Sequence, residues 1–135
     1  MSGNRVVLDS NVIILISKGK LDTELLLKRY DEFWVSILTV MEVYGYDFDK
    51  VAEREIIDEF FSNLEVLDVD IRIAERVVEY RRSPKRKIKL PDAIILATAS
   101  FLGAELLTGD WDDFLHIDSE VLVTDVGGFL LEQGS

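Results

Sequence analysis

The stretch Arg5-Val-Val-Leu-Asp9 constrains the fold most, because it sets a carboxylate into apolar surroundings. Val6, Val7 and Leu8 precede the acid, and Val12-Ile-Ile-Leu-Ile16 follows almost at once. The pattern reads as a buried strand feeding a helix, with Ser10 or Asn11 placed to cap that helix. Asp9 then stands at the carboxyl end of a strand, where open α/β sheets keep their sites. A buried carboxylate is costly unless a cation or hydrogen-bond donors meet it. No Lys or Arg lies between Val6 and Ser17, so the partner of Asp9 must come from elsewhere in the chain.

Beyond this unit, apolar periodicity alternates between short strands and helices. Leu21, Leu25, Leu26 and Tyr30 mark a helical segment ending near Asp31, and Phe33-Trp-Val-Ser-Ile37 reads as the second strand. In the helix expected over 38–46, Leu38, Met41, Glu42 and Gly45 share one face, which would carry Glu42 inward among apolar residues. An amphipathic helix over 51–64 has Ile56, Ile57, Phe60, Phe61 and Leu64 on its stripe and reads as scaffold. Glu65-Val-Leu67 is a short strand, and Ile73, Ala74, Val77 and Val78 define a helix that Pro84 should end. The segment Leu90 to Gly103 is the most buried-looking helix, with Pro91 and Asp92 in its first turn and Gly103 as its stop. A strand over 103–108, a turn and short helix over 109–114, a last strand at Val121-Leu-Val123 and a C-terminal tail from about 127 to 135 complete the reading. The expected architecture is a single α/β domain over residues 1–135, with a central, mostly parallel sheet covered by helices on both faces.

Composition narrows the classes. At 135 residues with 48% hydrophobic content, the chain can build one substantial core and is neither disordered nor fibrous. Its longest uninterrupted apolar runs, Val12–Ile16 and Ala93–Ala97, are five residues, far below the ~20 that span a bilayer, and no charged-then-apolar leader opens it. A soluble, non-exported, non-membrane protein is expected. The absence of Cys excludes disulfides and thiolate metal sites and suits the cytoplasm. A net charge of −11 opposes nucleic-acid binding on average, yet Arg81, Arg82, Lys85, Arg86, Lys87 and Lys89 form a block without an acid. Such a block serves equally as a solvated helix end or as a surface that meets phosphate.

The acids are the chemical signal. Asp9 ends the first strand, Asp92 opens a buried helix, Asp110 and Asp113 follow a later strand, and Glu42 sits mid-helix. In a parallel α/β sheet, strand carboxyl ends and helix N-termini gather along one edge, so these groups can converge from distant positions. Alone, Asp9 or Asp92 is also a helix cap and Asp110 or Asp113 a turn residue, whereas no cap role is open to Glu42. Converging carboxylates repel one another unless a divalent cation holds them. An oxygen-only donor set with a single His points to Mg²⁺ or Mn²⁺ over zinc. Phosphodiester hydrolysis by a metal-activated water is the chemistry that best fits such a cleft.

The segments Val7-Leu-Asp9-Ser-Asn11-Val, Ser36 to Gly45 with Glu42, Leu90-Pro-Asp92 to Ala99, and Leu107-Thr-Gly-Asp110-Trp-Asp-Asp113-Phe114 occur in an order that resembles the motifs of the PIN domain. In length and spacing the chain is most similar to the VapC-type toxins of toxin–antitoxin pairs. The resemblance implies a three-layer α/β/α fold and an Mg²⁺- or Mn²⁺-dependent endoribonuclease. It further implies that Asp9, Glu42, Asp92 and Asp110 form the metal-binding, catalytic quartet, with Asp113 as an additional acid. Ser10 and Thr108 would orient the cluster and Asn11 would support the turn. Many relatives carry Asn at the position of Asp110. An RNA substrate, a homodimer and an antitoxin that inserts an element into the acidic groove are implied as partners.

Three functions compete on these residues. The first is a ribonuclease acting on single-stranded or looped RNA, with Arg81 to Lys89 against the backbone and Trp111 as a stacking residue. Trp111 also suits half-buried packing, and lone His116 a surface or packing role. The second is a PIN-fold RNA-binding or scaffold protein without turnover, which the intact acid set argues against. The third is a phosphoacceptor receiver domain, which needs a Lys after a late strand, whereas Leu107 and Val123 are followed by Thr-Gly-Asp and Thr-Asp.

Overall fold

Val6 and Leu8 point to one side of the first strand and Val7 to the other, and all three are fully buried. A strand buried on both faces requires cover on both. The computed structural model, which describes residues 4–132, supplies it. The strands are β1 (Arg5–Leu8), β2 (Glu32–Ser36), β3 (Glu65–Leu67), β4 (Glu105–Thr108) and β5 (Val123–Asp125). They form one parallel sheet in the order β3-β2-β1-β4-β5. The helices are α1 (Ser10–Ser17), α2 (Thr23–Arg29), α3 (Ile37–Tyr44), α4 (Val51–Phe61), α5 (Ile71–Arg82), α6 (Leu90–Leu102) and α7 (Trp111–Phe114). Val6, Leu8 and Leu107 pack with Val12, Ile13, Ile16, Leu26, Val43 and Ile57, which belong to α1 to α4. On the opposite face Val7 and Leu106 pack with Ile73, Val77, Ile95, Leu96, Ala99 and Phe114 from α5, α6 and α7. The result is the three-layer α/β/α arrangement.

The chain builds outward from β1 through β2 to β3, then returns to the other side of β1 to lay down β4 and β5. The sheet order therefore reverses between β1 and β4, and crevices outside the strand ends form at such a point. Leu107 faces Leu8 across this junction, and the Asp9 amide donates to the Leu107 carbonyl at 3.0 Å. Asp9 and Asp110 are thereby brought to the same edge by main-chain register.

Three expectations are corrected. The cap of α1 is Asp9 itself, extended at φ −74° and ψ 158°, and the helix has already begun at Ser10. The last strand lies two residues later than expected, at Val123–Asp125, because pairing sets Val123 against Leu106 while residues 118–121 turn. Val121 is still buried, which explains its apolar character without a strand. The expected tail is structured as far as it is described. Val126–Phe129 forms a 3₁₀ turn, Phe129 is buried with its ring 6.1 Å from that of Tyr30, and Leu130 bridges to Leu21. The Asp22 amide donates to the Phe129 carbonyl at 2.8 Å and the Leu131 amide to Lys20 at 2.9 Å. Residues 133–135 lie outside the described range. Among the described residues no helix is long and apolar enough to cross a membrane.

Gly103 stops α6 in the left-handed conformation at φ 62°, the conformation glycine adopts without steric cost. Because the C-terminal turn is part of the core, Phe129→Ala should destabilise the protein by roughly 3 kcal/mol through lost burial and the cavity left behind. Urea unfolding measures this, and an unchanged midpoint would show that residues 126–131 do not contribute to the core.

Candidate active site

Asp9 is 7% exposed at the carboxyl end of β1. Its partners are donors, not cations. Oδ1 accepts from the Ser10 amide at 2.8 Å, and Oδ2 accepts from the Thr108 hydroxyl at 2.8 Å. Thr108 Oγ1 in turn accepts from the Asp110 amide at 2.9 Å, so one buried hydroxyl ties the end of β1 to the loop after β4. Asn11 performs the matching task for the next acid. Its Oδ1 accepts from the Gly109 amide at 3.0 Å while its Nδ2 donates to Asp110 Oδ2 at 2.8 Å. A Cβ at position 109 would stand 3.3 Å from the Asn11 amide group, so glycine there lets the two loops approach. Asp110 precedes α7 without capping it, its side chain being turned to Asn11.

Glu42 reaches this edge by a different face than expected. The buried residues of α3 are Thr39 and Val43, whereas Met41 is 60% exposed and Glu42 and Gly45 are also exposed. The apolar stripe of α3 is thus offset from the Leu38–Met41–Glu42–Gly45 face, and Glu42 stands at the rim of the cleft. The helix starts one residue earlier than expected, at Ile37, because Ser36 caps it by accepting from the Leu38 amide at 3.1 Å. Local desolvation and the negative charge of Asp9 raise the pKa of Glu42, and a hydrogen bond with Ser10 works in the opposite direction.

The remaining acids are coupled to Asp9 through space. Burial first, then the charges of Asp9 and Asp113, push the Asp92 carboxyl up to about 6. Burial likewise raises Asp9, against the hydrogen bonds from Thr108 and Ser10, and Asp110 and Asp113 add to the rise. Lys89 is near enough to lower Asp92 slightly, yet among the described residues none of the five acids is in an ion pair. The structure therefore brings Asp9, Glu42, Asp92, Asp110 and Asp113 within electrostatic reach of one another at the sheet's carboxyl edge.

This donor set suits a hard divalent cation in charge and in chemistry, being all oxygen and held by Thr108, Ser10 and Asn11. The acids are more widely spaced than a closed cage, since among the described residues no three acid or His groups are gathered tightly enough to hold one ion between them. Asp9, Asp92 and Asp110 are the residues through which an ion would be held, directly or through water.

The basic block splits into distinct parts. Arg81 and Arg82 end α5 in solvent, and Lys85, Lys87 and Lys89 are exposed along the segment leading into α6. Arg86 is structural, its guanidinium donating to the Leu115 carbonyl at 2.7 Å just past α7. Through this bond the basic segment lies beside the helix that carries Asp113. Trp111 is 41% exposed and its indole donates to the Val123 carbonyl at 3.2 Å, so it is a half-packed residue with an open edge. His116 is exposed, with φ 64°.

Sequence reasoning missed part of the cleft wall. A cavity of about 660 Å³ runs from Glu42 and Asp110 along α1 to Lys18, Lys20 and Tyr46. The signal was present, since Asn11, Ile14, Leu15 and Lys18 lie at helical spacing on one face and Tyr46 follows Glu42 by four.

Comparison with known proteins identifies the class to which this α/β/α domain belongs. The PIN domain family model matches residues 6–120, and the chain belongs to that family. Among solved structures, a chain of a toxin–antitoxin complex from Klebsiella pneumoniae is 32% identical, with 87% of this chain and 95% of that one covered and a TM-score of 0.70. The DNA-bound VapBC of Salmonella typhimurium is 25% identical over 90% and 98% of the two chains, at a TM-score of 0.71. VapBC-5 of Mycobacterium tuberculosis is also 25% identical, over 90% and 97%, at 0.66. Within the family the likeness is thus to VapC-type domains. No curated protein matches the chain.

The raised Asp92 carboxyl has a thermodynamic consequence. The folded state holds this proton more tightly than the unfolded chain, where aspartate titrates near 3.8, so the stabilising contribution is complete below that pH and lost as pH rises through about 6. In protein stripped of divalent ions, Asp92→Asn should melt with the wild type near pH 4 and roughly 3 °C above it at pH 7, allowing for solvent screening. Calorimetry across this range measures the gap, and a gap independent of pH would show that Asp92 is not strained by its neighbours.

Proposed function

We propose that this protein is a metal-dependent endoribonuclease of the VapC toxin type, hydrolysing RNA phosphodiester bonds with Mg²⁺ or Mn²⁺. The observation that carries the reading is Asp9: a buried carboxylate, raised in pKa, surrounded by four further acids and without a cationic partner among the described residues. An acid cluster of this kind costs stability, and it is suited to binding a cation that returns the cost. A divalent ion bound there lowers the pKa of an attacking water and stabilises the charge developing on the phosphodiester.

The chain's own residues supply position. Thr108 fixes Asp9 in one rotamer and Asn11 fixes Asp110, while burial and the charge of Asp9 raise the pKa of Glu42 and Asp92 beside them. Lys85, Lys87 and Lys89 offer ammonium groups to flanking phosphates. The acids' open spacing favours one alternative, an RNA-binding or scaffold domain without turnover.

The named toxin–antitoxin relatives support a protein partner as well. A largely apolar groove of about 320 Å³ between α2 and α4, lined by Leu26, Leu27, Phe33, Ile56 and Phe60, is suited to an antitoxin's apolar segment.

Cleavage of end-labelled single-stranded RNA with Mg²⁺, Mn²⁺ or EDTA tests the main reading. Asp9→Asn should reduce cleavage by roughly two orders of magnitude or more while keeping the fold, because it removes a buried charge of the metal-free protein. Thr108→Val, which frees Asp9 to reorient, should cost about tenfold. Binding of RNA with no metal-dependent cuts in any arm would favour the scaffold instead. Replacing Lys85, Lys87 and Lys89 together by Ala should weaken RNA binding and flatten its salt dependence. An unchanged salt slope would remove this segment from the interface.

A further inference from the structure

The cavity along α1 is not accounted for by the acid cluster or by the basic segment before α6. Its acid end is Glu42 and Asp110, and its far end is Lys18, Lys20 and Tyr46, with Ile14 and Leu130 as apolar wall between them. At about 660 Å³ it lies within the range of small-ligand sites, ~300–1,000 Å³. Its far end is built by local structure. Gly19 takes φ 68° after α1, turning the chain so that the Lys20 amide donates to the Leu15 carbonyl at 3.0 Å and the Lys20 carbonyl accepts from Leu131 at 2.9 Å. The Lys20 backbone is therefore fixed at the groove, while its exposed ammonium has no ion-pair partner among the described residues.

Tyr46 is held as firmly. Lys18 pairs with Asp49 at 3.2 Å and Glu53 at 3.5 Å, which anchors the 45–50 loop to α1, and its ammonium lies 5.6 Å from the Tyr46 ring centroid. Phe48 meets the same ring edge-on at 5.1 Å. Tyr46 nonetheless remains 40% exposed and lines the groove. A fixed, partly exposed aromatic ring lining the same groove as an exposed cation is a combination that binds one nucleotide of a single strand, by stacking of the base and contact with its phosphate.

We infer that this groove binds the nucleotide adjacent to the scissile phosphate of single-stranded RNA, with its base on Tyr46 and its phosphate at Lys20. The inference rests on the ribonuclease reading and extends it by giving the strand a direction away from the acids, on the side opposite the basic segment. Lys18 is a positioning residue here, acting through Tyr46. Charge alone does not separate a basic peptide, opposed at Lys20, from a single strand, opposed at Glu42 and Asp110 unless the proposed cation is bound there. The open Tyr46 ring, on which a base stacks, decides for the strand.

The test uses the whole chain, a fluorescein-labelled single-stranded oligoribonucleotide of twelve residues, and anisotropy with Ca²⁺, followed by cleavage of the same RNA with Mg²⁺ or Mn²⁺. Tyr46→Leu and Lys20→Ala should each weaken binding and raise KM about tenfold with kcat unchanged, and Tyr46→Phe should behave as wild type. A dinucleotide with one phosphodiester bond should keep the dependence on Tyr46, because it still carries the nucleoside beside the scissile phosphate, and lose that on Lys20, because it lacks the second phosphate. Cleavage that Asp9→Asn abolishes but Tyr46→Leu and Lys20→Ala leave unmoved overturns the inference alone. If those two variants instead lose only the binding of an antitoxin peptide, the groove belongs to a protein and the inference is likewise overturned. Neither binding nor cleavage by the wild type overturns both this inference and the ribonuclease reading.

Discussion

The hydrogen bond from Thr108 to Asp9 is the interaction on which the rest of the site depends. It lies wholly buried between two neighbouring parallel strands, and the same hydroxyl accepts from the amide that begins the Asp110 loop. Its geometry follows from sheet register, because Leu8 is paired with Leu107 and the next residue of each chain segment, Asp9 and Thr108, must meet. A carboxylate held in this way is oriented but not neutralised. Hydrogen bonds recover part of its lost hydration, and the remaining cost appears as a raised pKa. Site and fold are thus in mild opposition, as is common where a protein prepares charge for a ligand.

The electrostatic layout extends this logic across the surface. The chain carries −11 overall, yet its exposed lysines stand on two sides of the acid cleft, at 85–89 and at Lys20. Each cation is kept out of ion-pairing distance of the five acids. If Lys89 had closed onto Asp92, the cleft would have been satisfied internally and its affinity for a cation reduced. Arg86 shows how the separation is maintained. Its guanidinium goes to the Leu115 carbonyl, which pins the basic segment beside the cleft without entering it.

Much of the fold was readable because strands and helices announce themselves by period. Val6, Val7 and Leu8 had to be buried on both faces, and the helix start at Asp70 and the stop at Gly103 carry their own caps. What could not be read locally came from pairing. The last strand begins at Val123 because of its register with β4, although Val121 and Leu122 look equally strand-like. The Gly127-Gly128 pair looks like the start of a loose end, yet Phe129 is buried against Tyr30 by contacts made a hundred residues away in sequence. The face of α3 was misjudged for a related reason. Met41 and Val43 are both apolar, and only the position of α1 and α4 decides which of the two is covered.

The sequence by itself determined the kind of fold and the identity of the acids. A doubly buried first strand forces a covered parallel sheet, and the motifs single out four carboxylates at strand ends and helix starts and a fifth, Glu42, in mid-helix. Only the tertiary structure decided which atoms of Thr108 and Asn11 meet which acid, that Glu42 stands at a rim instead of inside, and that Lys18, Lys20 and Tyr46 line the adjoining groove. The physical reason is range. Periodicity, capping and turn chemistry act over a few residues, whereas hydrogen bonds such as Thr108 to Asp9 and Asn11 to Asp110 join positions 99 apart in sequence and exist only once the sheet is assembled.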